Sequence, residues 1–138
     1  MCATNYGCSG LLSIKIPSSV TYIGSKAFEC CNSLISIEIP NSMTEIKEYA
    51  FSGCKDLISI KLANSVTEIS EGAFRGCSAL TSIKIPNSVT KIGKYAFYGC
   101  SGFASIEIPN SVTEISESAF CGCGGLTLVT IDTSNISI

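Results

Sequence analysis

A 23-residue periodicity runs through the chain and constrains its fold more than any other feature. The chain aligns with itself at this spacing without an insertion, with the consensus L-x-S-I-x-I-P-N-S-V-T-x-I-x-x-x-A-F-x-G-C-x-x. A fixed period of this length is typical of solenoids, in which each repeat is one coil stacked on its neighbours. We predict one domain over residues 1–138, with full repeats at 11–33, 34–56, 57–79, 80–102 and 103–125 and partial repeats at 1–10 and 126–138.

Each repeat contains two short strand-like segments. In the fourth repeat, Ile83 and Ile85 alternate with Ser82 and Lys84 at the two-residue period of a strand, so the serine and lysine should face water. Pro86 lacks a backbone donor and ends this segment, and a second alternating segment follows the turn. The sequence therefore predicts a mainly β leucine-rich-repeat solenoid of about five coils, with short parallel strands and little helix.

Stacking places each side chain over its equivalent one repeat away, because neighbouring strands lie ~4.8 Å apart. Two such columns are apolar throughout and are predicted to form the core. The aromatic column is Phe28, Phe51, Phe74, Phe97 and Phe120, and the aliphatic column is Ile23, Ile46, Ile69, Ile92 and Ile115.

Nine cysteines would suggest disulfide bonds in a secreted chain, but most of them follow the repeat. Parallel Cβ vectors in a column do not suit a disulfide, so buried, reduced thiols are predicted there. The column contains Cys8, Cys31, Cys54, Cys77, Cys100 and Cys123. Three cysteines lie outside it, Cys2, Cys30 and Cys121, and we predict that these are the more reactive or oxidation-prone thiols.

The recurring Ile-Pro-Asn-Ser-Val-Thr block, Ala-Phe pair and cysteine resemble the BspA-like class of leucine-rich repeats, known from bacterial surface proteins and protozoan parasites. The resemblance covers about residues 7 to 131, and Leu62-Ala63 in place of Ile-Pro is one of its few departures. It implies a curved solenoid with a parallel sheet on the concave face and a role in adhesion or protein binding. It implies no catalytic residues.

Composition excludes several functional classes. The chain has no histidine, which removes Ser-His-Asp and Cys-His nucleophile arrangements and most zinc sites. No basic run could neutralise a row of phosphates, and no apolar stretch approaches the ~20 residues of a membrane span. We therefore expect no enzyme, no cofactor or metal site, no nucleic-acid partner and no transmembrane segment.

The exposed positions of the first strand form the predicted protein-binding strip on the concave face. A flat serine column beside a charged column suits a protein ligand, although both could simply be soluble positions. The strip contains Ser13, Lys15, Ser36, Glu38, Ser59, Lys61, Ser82, Lys84, Ser105 and Glu107. The outer face carries an acidic patch, a basic island and a second acidic pair, which could complement a partner or be ordinary surface; these are Glu45, Glu48, Glu68, Glu71, Lys91, Lys94, Glu114 and Glu117.

The prediction for function is a non-catalytic scaffold for a protein partner, using the concave strip and the charged outer face. The alternative is a surface adhesin for host matrix or neighbouring cells. The first residues do not resemble a secretory signal, which favours a cytoplasmic location, whereas the resemblance favours the cell surface. The apolar C-terminal segment lacks a polar cap, so homo-oligomerisation through that coil is predicted unless the chain belongs to a longer array.

Overall fold

The computed structural model describes residues 10–131 as a succession of short strands and tight turns. The first-strand segments are β1 (Ser13–Lys15), β2 (Ser36–Glu38), β4 (Ser59–Lys61), β7 (Ser105–Ile108) and β9 (Leu128–Ile131). The second-strand segments are β3 (Glu45–Ile46), β5 (Glu68–Ile69), β6 (Lys91–Ile92) and β8 (Glu114–Ile115). Residues 10–131 contain no α-helix. The predicted mainly β solenoid of about five coils is confirmed.

Every strand pair is parallel and is offset by one repeat. Ser13 pairs with Ser36 and Ser36 with Ser59, in a sheet of order β1-β2-β4. The second strands form a separate sheet of order β3-β5-β6-β8. At the turn between coils, the Phe51 N–H donates to the Ala73 carbonyl at 2.9 Å, and this bond recurs in the neighbouring coils. Backbone hydrogen bonds therefore join the coils at both strand faces and at the turn.

The predicted apolar columns form the core. Phe51, Phe74 and Phe97 are fully buried, with stacked rings whose centroids lie 5.6 and 5.5 Å apart. The aliphatic column is buried at its centre, but Ile115 is 45% exposed, so the prediction is wrong at that end. Ile115 packs against Ile92 on one side in the strand register. Its equivalent one repeat later, Ile138, lies outside the described residues.

Two coils depart from the predicted pair of strands. Residues 20–23 form no strand in the first full repeat, and the first strand of the fourth repeat is reduced to a bridge between Lys84 and Glu107. The sheet β1-β2-β4 ends at β4, and within residues 10–131 no backbone hydrogen bond joins residues 58–63 to residues 81–86. We call this interruption the ladder gap. The second-strand sheet crosses the same two coils unbroken, through Glu68 and Lys91.

The turn before each column cysteine requires a positive φ, which glycine adopts without steric cost. Gly76 has φ 76°, and Cys30 takes φ 62° at the same position of the first full repeat. A second positive-φ position lies four residues earlier and was not predicted, because four of its five occupants are not glycine. These four residues are Lys26, Tyr49, Tyr95 and Ser118.

Because Phe74 is stacked on both sides in the buried column, we expect Phe74→Ala to lower the free energy of unfolding by about 3–5 kcal/mol. Phe28→Ala should cost clearly less, since Phe28 is partly buried and stacks on Phe51 alone among the described rings. Urea denaturation of the two variants measures the difference. Equal losses would contradict the view that the aromatic column is the main source of cohesion between coils.

Candidate protein-binding face

The predicted strip lies on one face because its residues alternate with buried isoleucines. Ile37 and Ile60 point into the core, so the residues on either side of them point outward. Strand register brings Lys15, Glu38 and Lys61 side by side in one sheet. All predicted strip residues are exposed except Ser36, which is half-buried.

The ladder gap divides this strip. Beyond it, Lys84 bridges to Glu107, and Ser105 pairs with Leu128 instead of another serine. The structure therefore brings the first three coils of the strip into one sheet and places the remaining residues on the far side of the gap.

Grooves follow this face of the solenoid. One of about 830 Å³ is lined by Ser13, Ser36 and Ser59 with their neighbours. Another, of about 640 Å³, spans the ladder gap and is lined by residues that include Lys61 and Lys84. The strip is therefore a grooved surface on which a polypeptide segment could lie.

An exposed row of aliphatic side chains borders the serine column and was missed by the sequence analysis. Leu12, Ile35 and Ile58 are 59%, 41% and 53% exposed. The backbone of the row is joined by two hydrogen bonds of 2.8 Å, from the Ile35 N–H to the Leu12 carbonyl and from the Ile58 N–H to the Ile35 carbonyl. The sequence signal for this row was an apolar residue at the second position of three successive repeats, a position that the consensus leaves variable. We call these three residues the aliphatic ladder; later coils carry Thr81, Ala104 and Thr127 there.

Charges on the second-strand face are paired within the molecule. The Lys91 ammonium lies 4.0 Å from carboxylate oxygens of both Glu68 and Glu114, and Lys94 lies 4.0 Å from Glu117. The predicted basic island is thus compensated by its own neighbours. The first acidic patch also has local partners, since the Ser25 hydroxyl donates to Glu48 at 2.9 Å and the Tyr49 hydroxyl to Glu71 at 2.7 Å.

The charges of the first-strand strip behave differently. Within residues 10–131, none of the strip charges Lys15, Glu38, Lys61, Lys84 and Glu107 has an oppositely charged group within 4.0 Å. Charges of opposite sign are nevertheless neighbours in the strand register.

The column cysteines are structural. Those in the described range are reduced and form no disulfide, as predicted, and all are buried except the half-buried Cys123; they are Cys31, Cys54, Cys77, Cys100 and Cys123. The Cys100 Sγ–H donates to the Phe74 carbonyl at 3.1 Å, and Cys77 donates to Phe51 at 3.2 Å. Burial raises the pKa of Cys100 to about 12 and that of Cys77 well above its ordinary value. Neutral, hydrogen-bonded thiols of this kind are poor nucleophiles.

The predictions for the remaining cysteines have mixed outcomes. Cys30 was expected to be a reactive or oxidation-prone thiol; it is 4% exposed and disulfide-bonded, so it is an oxidised cysteine and not an accessible reactive thiol. It lies in the turn at the position where the other repeats have glycine. Cys121 is a free and exposed thiol, which agrees with the prediction. Cys2 and Cys8 lie outside the described residues.

Two further searches concern only the described part of the chain. No group of three or more potential metal-ligating side chains lies together within residues 10–131. Over the same range, no helix is long and apolar enough to cross a bilayer.

Comparison with known proteins identifies the repeat. The chain matches the family described as BspA type leucine rich repeat region, in six copies, over residues 3–101 and 69–138. A comparison with curated proteins gave no significant match.

Several solved structures resemble the chain closely. A leucine-rich repeat protein from Bacteroides ovatus is 40% identical with a TM-score of 0.80, over 86% of this chain and 33% of that protein. A leucine rich cell surface protein from Faecalibacterium prausnitzii is 40% identical with a TM-score of 0.85, over 89% of this chain and 32% of that protein. The leucine rich repeat protein of T. pallidum is 34% identical with a TM-score of 0.83, over 86% of this chain and 57% of that protein. The chain thus spans about a third of the first two proteins.

Because burial protects the thiol of Cys100, we expect it to resist iodoacetamide in the native protein while Cys121 reacts readily. The pH dependence follows from the same burial. The pKa of Cys100 rises from 9.0 in the unfolded chain to about 12 in the fold, so the unfolded thiol ionises first. Stability contributed by the neutral thiol should be complete below about pH 9 and lost as the pH rises towards 12.

Urea denaturation between pH 8 and 11 measures this loss, with Cys121→Ser as the exposed control. In Cys100→Ser the free energy of unfolding should fall less steeply with pH, by at most about 1.4 kcal/mol per pH unit. Equal alkylation of Cys100 and Cys121 in the native state would contradict the assignment of a buried structural thiol.

Proposed function

The chain belongs to the BspA-type leucine-rich repeat family, and from that premise we propose that it is a non-catalytic scaffold that binds a protein partner through its first-strand strip. The observation that carries the proposal is the difference between its two charged faces. Lysines of the second-strand face lie 4.0 Å from carboxylates of the same molecule, whereas those of the strip have no carboxylate of another described residue within that distance. Complementary charges on a partner would complete the strip and set its register.

The aliphatic ladder supports the same assignment. Protein interfaces combine an apolar centre with a polar and charged rim, and this face has both within three coils. Covering Leu12, Ile35 and Ile58, which are each roughly half exposed, would contribute about 1 kcal/mol per side chain. The serine column between the two rows offers hydrogen-bonding groups without steric obstruction.

The non-catalytic assignment follows from how an exact repeat arranges its chemistry. Catalysis requires unlike titratable groups that converge in a cleft, whereas stacked repeats produce columns of like groups. The chain also lacks histidine, and its most buried thiols stay neutral at physiological pH.

An adhesin at the cell surface is the second candidate. The F. prausnitzii protein, 40% identical, is a cell surface protein, which favours this location over the cytoplasmic one predicted from the N-terminal sequence. Antibody labelling of intact and permeabilised cells decides between the two. Labelling of intact cells would support the adhesin, and labelling only after permeabilisation would contradict it.

A steric block tests the strip itself. We expect Ser59→Arg combined with Ser82→Arg to abolish capture of the partner from a lysate, because two large side chains would cover the exposed serine column. The matched control is Thr67→Arg with Thr90→Arg, which places the same bulk on exposed positions near the second strands. Quantitative mass spectrometry of the captured proteins is the measurement. Equal capture by both double variants would contradict a role for the strip.

We further propose that copies associate through the C-terminal coil. Val129 and Leu128 in its strand are 50% and 58% exposed, and the column residue Ile115 is 45% exposed. The apolar residues Ile136 and Ile138, also part of the prediction, lie outside the described residues.

Val129→Lys should shift the protein to monomers, because a charged side chain cannot be buried in a contact between coils without a partner. Sedimentation velocity across a concentration series measures the change, with Thr130→Lys as a control on the same strand. A wild-type monomer at every concentration would refute the proposed association.

A further inference from the structure

The ladder gap coincides with an exception in the charge order of the strip. From Lys15 to Lys61 the sign alternates at each coil, but Lys61 and Lys84 occupy the same repeat position on either side of the gap with the same sign. Glu38 and Glu107 flank them in strand register. Like charges in neighbouring strands repel, so the two lysines at the centre of this four-residue row face each other across the gap, each with a glutamate on its other side.

Backbone donors are also unused at the gap. In the second coil the Ile39 N–H donates to the Lys61 carbonyl at 2.8 Å, but the equivalent Leu62 N–H makes no backbone hydrogen bond to another described residue. The next residue, Ala63, stands where the other full repeats have proline and therefore adds an N–H. Its N–H likewise makes no backbone bond within residues 10–131.

A groove of about 640 Å³ brings these groups onto one surface. Its lining includes Lys61, Lys84, Leu62, Ala63 and Asn64. The groove thus combines two cationic side chains and amide donors with the Glu38 carboxylate at one side. This combination suits an anionic group carried on a polypeptide backbone, whose carbonyls can accept from the free N–H groups.

We propose that the ladder gap binds an extended segment of the protein partner that presents a carboxylate to Lys61 and Lys84 and a basic side chain on each side of that carboxylate. The proposal deepens the proposed function and rests on it. The carboxylate oxygens accept hydrogen bonds from the two ammonium groups. The flanking basic residues lie over Glu38 and Glu107.

Spacing supports a basic-x-acidic-x-basic pattern. The midpoint of the lysine pair is one and a half strand spacings from each flanking glutamate, about 7 Å. In an extended segment, side chains two residues apart project from one side at a separation of about 6.7 Å. A segment that crosses the coils therefore places three alternate side chains over the three charged sites.

The probe is a capped synthetic peptide, Thr-Lys-Val-Glu-Val-Lys-Thr, titrated into ¹⁵N-labelled protein at low ionic strength. We expect amide shifts in residues 58–64 and 81–87, with smaller shifts around Glu38 and Glu107, where the flanking lysines lie. A charge-swapped peptide, Thr-Glu-Val-Lys-Val-Glu-Thr, should bind about tenfold more weakly, because each of its charges meets its own sign. Added salt should weaken the binding of the first peptide, because it screens the attraction between the charges.

Three variants complete the test. Lys61→Gln with Lys84→Gln should reduce the preference between the two peptides without abolishing it, because Glu38 and Glu107 still attract the basic residues of the first peptide. Lys15→Gln on the same strip should leave the preference unchanged. Ala63→Pro restores the residue of the other repeats and removes the donor, so binding should weaken by about threefold. Equal affinity for both peptides, or an unchanged preference in the double glutamine variant, overturns the proposal.

The two proposals fail separately. If Ser59→Arg with Ser82→Arg, the block of the serine column, abolishes capture of the partner while no peptide binds at the gap, the strip remains the binding face and the ladder-gap site is refuted. If the peptide binds selectively but the block leaves capture unchanged, the charge preference of the gap is supported, and the assignment of the strip as the partner's binding face is refuted.

Discussion

In-register stacking is the interaction on which the rest of the structure depends. No single coil of 23 residues can enclose Phe51 or Phe74; each ring is buried because the coils above and below supply equivalent rings at 5.3–5.6 Å. The same offset aligns the backbone bonds at the turn and in both sheets. An insertion in one coil would misalign all of these at once, which accounts for the constant spacing along the chain.

Stacking also explains which features could be predicted from the sequence. A residue inside the array has neighbours identical to itself, so its environment can be read from the repeat, as at Phe97 or Cys77. Predictions failed where that condition ends. Ile115, in the last full repeat, is 45% exposed, and Cys30 occupies a turn position where the other repeats have glycine. Positive φ at Tyr49 and Tyr95 left no signal, because neither residue is typical of that conformation.

The candidate site was predictable only in part, for a different reason. Alternation with buried isoleucine shows that Lys61 and Lys84 point outward, but it does not show whether they find a counter-charge. Lys91 occupies the corresponding kind of position on the other sheet and lies 4.0 Å from carboxylate oxygens of two glutamates. This distinction depends on side-chain geometry across three coils, which a repeat consensus averages away. The aliphatic ladder was hidden for the same reason, at a position that the consensus leaves variable.

A repeat scaffold can form a specific site by local departure from its own pattern. Across the third and fourth coils the second-strand sheet and the turn bonds remain continuous, so the core keeps its register while the first-strand sheet opens. The departure at Leu62-Ala63 and the like-charged lysines therefore alter one face at little risk to the fold. In such a chain the consensus positions maintain the stack, and the exceptions to the consensus distinguish one surface from those of otherwise similar solenoids.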